Sequence, residues 1–415
     1  MLKIYLFLYN TLIIFALPLI IILFLFSKKY RKELLYKISE RFACYDYSNL
    51  DSKKKTIWIH CASLGEVRAV EPILDSLRDD YFIVLTTLTK SGREYAVKLQ
   101  KANFLALLPL DIYPITKRAF DIIKPDLLVL VETELWVSML YTAAKRNTTI
   151  ITVNGRISEK SFYNYKCLRF FWKKFIGLIY VIIAISEENA AKFKYLAGKK
   201  SVIFVSGNVK YDRNFTSGAK RKDFLLKETD FVFTAGSTRE NEEVIIVDAY
   251  IKVGRNFKIF LAPRHLARIS KITKLLEDKS LKYSLFSEND FAGNFILVDV
   301  FGKLQNIYSI SDVCYVGGSL VNKGGQNPIE PAAYGKPVLF GEYMDNFKTE
   351  SESLVKNNGA FIVKDSDDLT IKIKEFMTNS SLLKRIGYNA FKTVHDQKGT
   401  VSFILAKLKE ILDAK

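Results

Sequence analysis

The chain is poor in the residues that hold metals and crosslinks. Its 415 residues include 3 histidines and 4 cysteines. The cysteines, Cys44, Cys61, Cys167 and Cys314, are scattered without CxxC spacing. Neither a disulfide framework nor a zinc cluster is supported, and the chain suits a reducing compartment. Low-complexity tracts are lacking, and at 26% charged residues the composition is that of a globular protein. A metal site at a strand end would call for an Asp-x-Asp there. The one such motif, Asp365 to Asp367 in "DSDD", reads instead as a surface turn capping a helix. Acid is scarce relative to base: 44 Asp and Glu against 62 Lys and Arg leave a net charge of +18. Such an excess favours polyanions, meaning nucleic acid, anionic lipid head groups or phosphorylated substrates.

One long apolar run is present. Ile4 to Phe26 is 23 residues without a charge, roughly 34 Å as a helix, enough to cross a bilayer. It lacks the short apolar region and small-residue cleavage site of a signal peptide and reads as a retained anchor. Lys28, Lys29, Arg31 and Lys32 follow it and Lys3 precedes it, a bias that leaves the rest of the chain cytoplasmic. Asn10 and Pro18 interrupt the run, which leaves open a buried hairpin of an N-terminal domain. Tyr30 to Phe42 pairs an apolar stripe (Leu34, Leu35, Ile38, Phe42) with basic residues, the pattern of a helix lying on a membrane or of a solvated helix packed on its own domain.

From Thr56 onward, short β-branched or aromatic runs alternate with helical patterns, the signature of βα units and parallel sheets. Expected strands are "TIWIH", "YFIVLT", "DLLVLV", "TIITV", "YVIIAI" and "VIFVS", then "FVFTAG", "KIFLAP", "FILVD", "DVCYVGG", "PVLFG" and "AFIV". Val67, Val70, Ile73, Leu74 and Leu77 recur at helical spacing, as do Leu135, Met139 and Leu140. Between the halves, "GNVKYDRNFTSGAKRKDFLLKETD" reads as a linker. The expected plan is a membrane anchor over 1–27, one Rossmann-like α/β domain over 28–212, a second over 213–380 facing it across a cleft, and a helical segment over 381–415.

In open α/β sheets, ligands sit beyond the carboxyl ends of the strands. "HCASLGE" then reads as strand, tight turn and first helical turn. Its small residues allow close approach, and Glu66 is placed where the helix dipole would hold it ionised, as a base or as a plain capping carboxylate. "VETELW" puts Glu132 and Glu134 after a strand, as catalytic or helix-start acids. "GNVK" brings Lys210 to the linker, "GSTRENEE" opens a helix and "APRH" ends a strand. In "VGGSLVNKGGQNPIEPAAYGKPVLFG", Gly317, Gly318, Gly324 and Gly325 make a flexible turn. Pro328 suits the first helical position, Asn327 the cap, and Glu330 lies one turn in, where a carboxylate can accept both hydroxyls of a ribose; a purely structural turn and cap also fits.

Taken together, "HCASLGE", "ETELW", "NGRIS", "GNVK", "GSTRENEE", "APRH", "FGKL" and "GGSLVNKGGQNPIEP", preceded by an anchor and "SERF", resemble the Kdo transferases. These are the 3-deoxy-D-manno-octulosonic acid transferases of lipid A biosynthesis, inverting glycosyltransferases with two Rossmann domains (GT-B type). The resemblance runs from about Arg41 to near Phe376. It implies Glu66 as general base toward the acceptor hydroxyl, with Glu132 and Lys210 stabilising the transition state. It implies that Pro263 and Arg264 contact cytosine, that Phe301, Gly302 and Lys303 touch CMP, and that Asn327, Pro328, Ile329 and Glu330 clamp ribose and phosphate. Ser237 and Thr238, read as a helix start, could offer amides to the donor phosphate. Some positions depart from the family. Cys61 stands where a small residue is usual, Val137 where proline follows the tryptophan, Arg239 and Asn241 where histidine and glycine are usual, and Gln326 where histidine is usual. The last three bear on polar contacts to the sugar phosphate.

The resemblance thus implies transfer of Kdo from CMP-Kdo to a lipid A precursor at the cytoplasmic face of the inner membrane, without metal or other cofactor. The partners would be CMP-Kdo, the lipid acceptor and an anionic membrane surface. A UDP-sugar transferase of the same architecture and a nucleotide-sugar epimerase are alternatives. Nucleic acid is disfavoured, because no helix shows an interleaved basic and aromatic face and the acidic strand ends would repel phosphates.

Overall fold

The structure is a computed structural model and describes residues 2–26, 31, 33, 35–45, 53–198, 200–213 and 215–414. Lys28, Lys29, Tyr30, Lys32 and Leu34 of the expected basic neck lie outside these residues. The chain divides into two compact units, residues 1–213 with 398–415, and residues 214–397.

The first unit is built on seven parallel strands: β1 (Thr56–Cys61), β2 (Phe82–Thr87), β3 (Phe104–Leu107), β4 (Leu127–Val131), β5 (Thr149–Gly155), β6 (Val181–Ala184) and β7 (Val202–Val205). Their order is β3-β2-β1-β4-β5-β6-β7. The winding therefore reverses between β1 and β4, which are hydrogen-bonded neighbours. Both faces of the sheet are covered, so the strands read as continuous apolar runs. Successive residues still point to opposite sides: Trp58 joins the core on one face, Ile57 and Ile59 the core on the other. The indole N–H of buried Trp58 donates to Thr86 Oγ1 at 2.9 Å, so its polar atom is satisfied. Helix α2 (Leu64–Leu77) buries Val67, Val70, Ile73, Leu74 and Leu77, the spacing expected from the sequence. Each such side chain stabilises by about 1.5–3 kcal/mol.

Helix α1 (Leu2–Leu25) continues through Pro18 as one helix, so the hairpin alternative does not hold. Asn10, read as an interruption, is a docking residue. Its Nδ2 donates to Ser138 Oγ at 3.1 Å, and its Oδ1 accepts from the Tyr113 amide at 2.6 Å. Tyr9 donates to buried Asp111 at 2.8 Å, and Leu6 is buried in the same core. Among the described residues no helix is long and apolar enough to cross a membrane.

The second unit also has seven parallel strands: β8 (Val232–Thr238), β9 (Lys258–Pro263), β10 (Ser284–Leu285), β11 (Phe295–Leu297), β12 (Val313–Val316), β13 (Val338–Phe340) and β14 (Ala360–Ile362). The order β10-β11-β9-β8-β12-β13-β14 reverses between β8 and β12. Two strands, β3 and β10, escaped the sequence reading. "FLAL" has no β-branched residue and three of its four residues are strong helix formers, while β10 is too short to show a period.

The polar linker is partly core. Phe224 and Leu226 are buried with Phe260, Phe286 and Phe291 in the second unit. The stretch 381–415 is divided: the helix Ser380–His395 lies in the second unit and Thr400–Asp413 in the first. The latter is fixed by Asp212, whose carboxylate accepts the amides of Gly399 at 2.6 Å and Val401 at 2.5 Å, and by Thr400 Oγ1 donating to the Ser206 carbonyl. A carboxylate at a helix N-terminus favours that placement.

Candidate active site

The strand ends that flank each reversal carry the unusual residues. After β1, Ser63 caps α2 by accepting the Glu66 amide, and the Glu66 side chain folds back over the same turn. Glu66 Oε2 accepts the Ala62 amide at 2.7 Å, and Oε1 accepts the Ser63 hydroxyl at 2.9 Å. The side chain is fixed and the residue is 8% exposed. The helix dipole was expected to keep this carboxylate ionised, and here the structure differs. Burial first, and then the nearby Glu132, push Glu66 from 4.5 up to about 7. Desolvation outweighs the dipole and the two hydrogen bonds. A base poised near neutrality can accept a hydroxyl proton and release it again.

After β4, Glu132 adopts φ 63°, a left-handed conformation rare for a residue with a side chain. Its carboxylate lies 3.6 Å from Arg156 Nε. Glu134 accepts the Trp136 indole N–H at 2.6 Å and lies 3.6 Å from Nε2 of fully buried His60. The helix itself starts only at Val137, so neither glutamate serves as a helix-start charge. Glu66, Glu132 and Glu134 are close enough that all three, after burial, raise the pKa of the Cys61 thiol. The backbone at Lys210 is tied to the same sheet. Asn154 at the end of β5 also has positive φ, and its Oδ1 accepts the Val209 amide at 3.1 Å. Asn208 Oδ1 accepts the Lys210 amide, also at 3.1 Å. The turn Val209–Asp212 then packs on α2, the helix that carries Glu66.

In the second unit, Ser237 and Thr238 close β8 instead of starting a helix. Helix α3 (Glu242–Val253) begins four residues after Thr238, behind Asn241 in a left-handed conformation. Its N-terminal charge is already matched by Glu242, which is fully buried. Glu242 accepts the amides of Arg239 at 2.7 Å, Gly318 at 2.6 Å, Ser319 and Leu320 at 2.9 Å, and the Tyr315 hydroxyl at 2.7 Å. The glycine turn expected to be flexible is packed. A Cβ on Gly317 would fall 2.4 Å from the Ser237 carbonyl oxygen, and one on Gly325 2.4 Å from Met344 Sδ.

These contacts bring Ser237, Thr238, Pro263, Arg264 and Gly317 together. Thr238 pairs with Pro263 in the β8–β9 register, and the Arg264 amide donates to the Thr238 carbonyl at 3.0 Å. The Gln326 amide donates to the Gly317 carbonyl at 3.0 Å, which sets Asn327 beside this edge. Asn327 Oδ1 accepts the Ile329 amide at 3.1 Å, and Nδ2 donates to Glu330 Oε1 at 3.5 Å. Asn327 is thus the side-chain cap of the short helix Ile329–Ala333, although the boundary residue is Pro328. Phe301, Gly302 and Lys303 form an exposed turn ahead of Leu304–Ile310. Asp365 caps the helix Ser366–Thr378 through the amides of Asp367 and Asp368, the role read for it.

The sequence reading assigned no role to His60, Asn154, Arg156 or Glu242. His60 stood inside a quoted motif, but a lone histidine on a strand looks like core. Glu242 stood in a run of acids that looks solvated until the fold wraps β12 over it.

Two doubly wound units, each with its polar residues gathered at the reversal of its sheet, define a GT-B-like α/β protein. The UDP-GlcNAc 2-epimerase of Neisseria meningitidis has a similar fold, with a TM-score of 0.61 and 12% identity over 86% of this chain and 100% of that one. The sequence profile for 3-deoxy-D-manno-octulosonic-acid transferase (kdotransferase) matches residues 36–213. The 3-deoxy-D-manno-octulosonic acid transferase of Aquifex aeolicus is 31% identical over 355 residues, 84% of this chain and 93% of that protein. A bifunctional glycosyltransferase/methyltransferase of Fusobacterium nucleatum is 34% identical over 84% of this chain, which spans only 56% of that longer protein. The chain belongs to the 3-deoxy-D-manno-octulosonic acid (Kdo) transferase family.

Proposed function

We propose that the protein transfers Kdo from CMP-Kdo to a hydroxyl of a lipid A precursor with inversion at the anomeric carbon. The observation that carries the chemistry is Glu66, a buried, doubly hydrogen-bonded carboxylate raised to about 7 at the reversal of the first sheet. It takes the acceptor hydroxyl proton as the oxygen attacks the anomeric carbon. The bond to the CMP phosphate breaks in the same displacement, and CMP leaves with the electron pair. Glu132 favours the cationic sugar, while Lys210 meets the charge that develops on the phosphate. A phosphate is already a good leaving group, so no metal is required in this scheme. Pro263, Arg264 and the turn Phe301–Lys303 hold the nucleotide, and Asn327 and Glu330 hold its ribose. Ser237 and Thr238, as strand-end residues beside Gly317, border the donor phosphate.

The lipid acceptor calls for a membrane surface, and the first unit has matching features. Beyond Asn10, helix α1 exposes Leu12, Ile14 and Phe15. Tyr5 touches Phe170 and Phe171, and the adjoining helices expose Tyr163, Leu168 and Phe170 among Lys160, Lys166, Arg169, Lys173 and Lys174. With its first turns docked on the unit, α1 retains residues 11–25, roughly 22 Å of helix against a hydrocarbon core of about 30 Å. The helix therefore embeds in one leaflet, on the cytoplasmic side of the inner membrane, in place of the full crossing expected from the run's length.

The test offers the detergent-solubilised full chain a tetraacylated lipid A precursor with CMP-Kdo and, in parallel, UDP-GlcNAc. Mass analysis of the lipid should show added Kdo, with CMP released. Addition of N-acetylhexosamine instead, or no lipid product beside epimerised nucleotide sugar, would overturn the proposal.

A further inference from the structure

Arg239 follows β8, at the reversal of the second sheet, and its environment is unusual for a cation. Its Nη1 donates to His265 Nε2 at 2.6 Å. A donor at that nitrogen requires the other imidazole nitrogen to carry the proton, so His265 is neutral when the contact is made. Burial and then the charges of Arg239, Arg264 and Arg268 lower the His265 pKa, in keeping with that state. The guanidinium Nε–H is shut away from solvent and has no acceptor among the described residues. The acids nearby are committed elsewhere. Glu240 and Glu243 pair with Arg268 at 2.8 and 3.0 Å, and Glu242 is held by the backbone amides of the Gly318 turn. The Arg239 stem packs on that same turn: a Cβ on Gly318 would lie 3.5 Å from Arg239 Cγ and 3.6 Å from the Gln326 side-chain nitrogen.

A guanidinium fixed through one Nη leaves the edge formed by Nε and the other Nη, two parallel donors with the spacing of a carboxylate or a phosphate. Beside the stem that carries this edge lie a tight glycine turn and the Gln326 amide side chain, and Asn327 follows Gln326 directly in the chain. We propose that Arg239, oriented by His265, is the oxyanion-binding residue of the donor site. It holds an acidic group of the nucleotide sugar, either the phosphate or the carboxylate that an ulosonic acid carries on its anomeric carbon. If the carboxylate is the group held, selection of an acidic sugar donor over neutral ones originates here. This rests on the Kdo-transfer reading, and wild-type transfer from CMP-Kdo is the control that tests that reading separately.

The experiment measures steady-state transfer by the full chain and its variants, together with binding of cytidine and CMP. Arg239→Ala should raise the KM for CMP-Kdo on the order of 10- to 100-fold, the effect of losing a charge-assisted pair of hydrogen bonds, while cytidine affinity stays within twofold. If the phosphate is the contact, CMP affinity falls as well; if the carboxylate is, CMP affinity holds and the KM for CMP-Kdo alone rises. Arg239→Lys should recover part of the loss, and His265→Ala should show a smaller rise in KM. A pH series separates this from a structural role. Both donor anions stay ionised from pH 6 to 8.5, so wild-type KM should be flat there. Arg239→His should bind donor progressively worse as pH rises past about 6.5, where imidazole loses its charge. Unchanged KM in Arg239→Ala, or equal losses for cytidine, CMP and CMP-Kdo, would overturn the assignment while leaving Kdo transfer intact. Failure of the wild type itself to use CMP-Kdo would instead overturn the reading of the function.

Discussion

Replacing Glu66 by glutamine should remove activity and stabilise the protein at the same time. Glutamine is the same size, its carbonyl can still accept the Ala62 amide, and its NH₂ can donate to Ser63 Oγ, so the local hydrogen bonds survive. The charge does not. Raising the Glu66 carboxyl from 4.5 to about 7 corresponds to about 3 kcal/mol held against ionisation in the folded protein. The sign follows from linkage: the folded state retains a proton that the unfolded chain releases near 4.5, so stability falls as pH rises from there to about 7. Above pH 7 the wild type carries the whole cost, and the glutamine variant carries none. Thermal unfolding should therefore show Glu66→Gln melting above the wild type at pH 8, with the difference shrinking through pH 5 and vanishing below about pH 4. CMP release should fall on the order of 10²- to 10⁴-fold, the usual contribution of a general base. Wild-type kcat/KM should climb with pH on a limb centred near 7 and level off above it. A variant that keeps more than about a tenth of wild-type turnover, or that melts below the wild type at pH 8, would refute both the role and the electrostatics.

Two further outcomes follow from buried polar contacts. Glu242→Gln presents an NH₂ group to a cluster of backbone donors, so it should destabilise the second unit by about 2–4 kcal/mol and weaken CMP binding, read by denaturant unfolding and calorimetry. Asn10→Leu removes the hydrogen bonds to Ser138 and Tyr113 that seat α1; limited proteolysis should then cut within the first 45 residues faster than in the wild type. An unchanged cleavage rate would mean that the apolar contacts of Leu6 and its neighbours seat the helix without Asn10.

Some of this protein was determined by its linear sequence alone. Twelve expected strands form where β-branched and aromatic runs stand, because strand formation in a doubly wound sheet depends mainly on local apolar continuity. The apolar spacing of α2, the cap at Ser63 and the cap at Asp365 are equally local, since each is decided within one or two helical turns. The glycines, Glu66, Glu132 and Asn327 could be singled out because strand ends and helix starts are recognisable in series. Tertiary structure alone decided the rest. Which strands reverse, and so which ends adjoin, depends on pairings between residues far apart, such as β1 with β4 and β8 with β12. Whether Glu66 is ionised depends on burial and on Glu132, more than sixty residues away, and no helix dipole read from sequence could settle that balance. Asn10 became a seat instead of a break, and Glu242 a buried hub instead of a surface acid. Desolvation and the geometry of hydrogen bonds are set by what the folded chain brings near, and the order of residues does not carry that information locally.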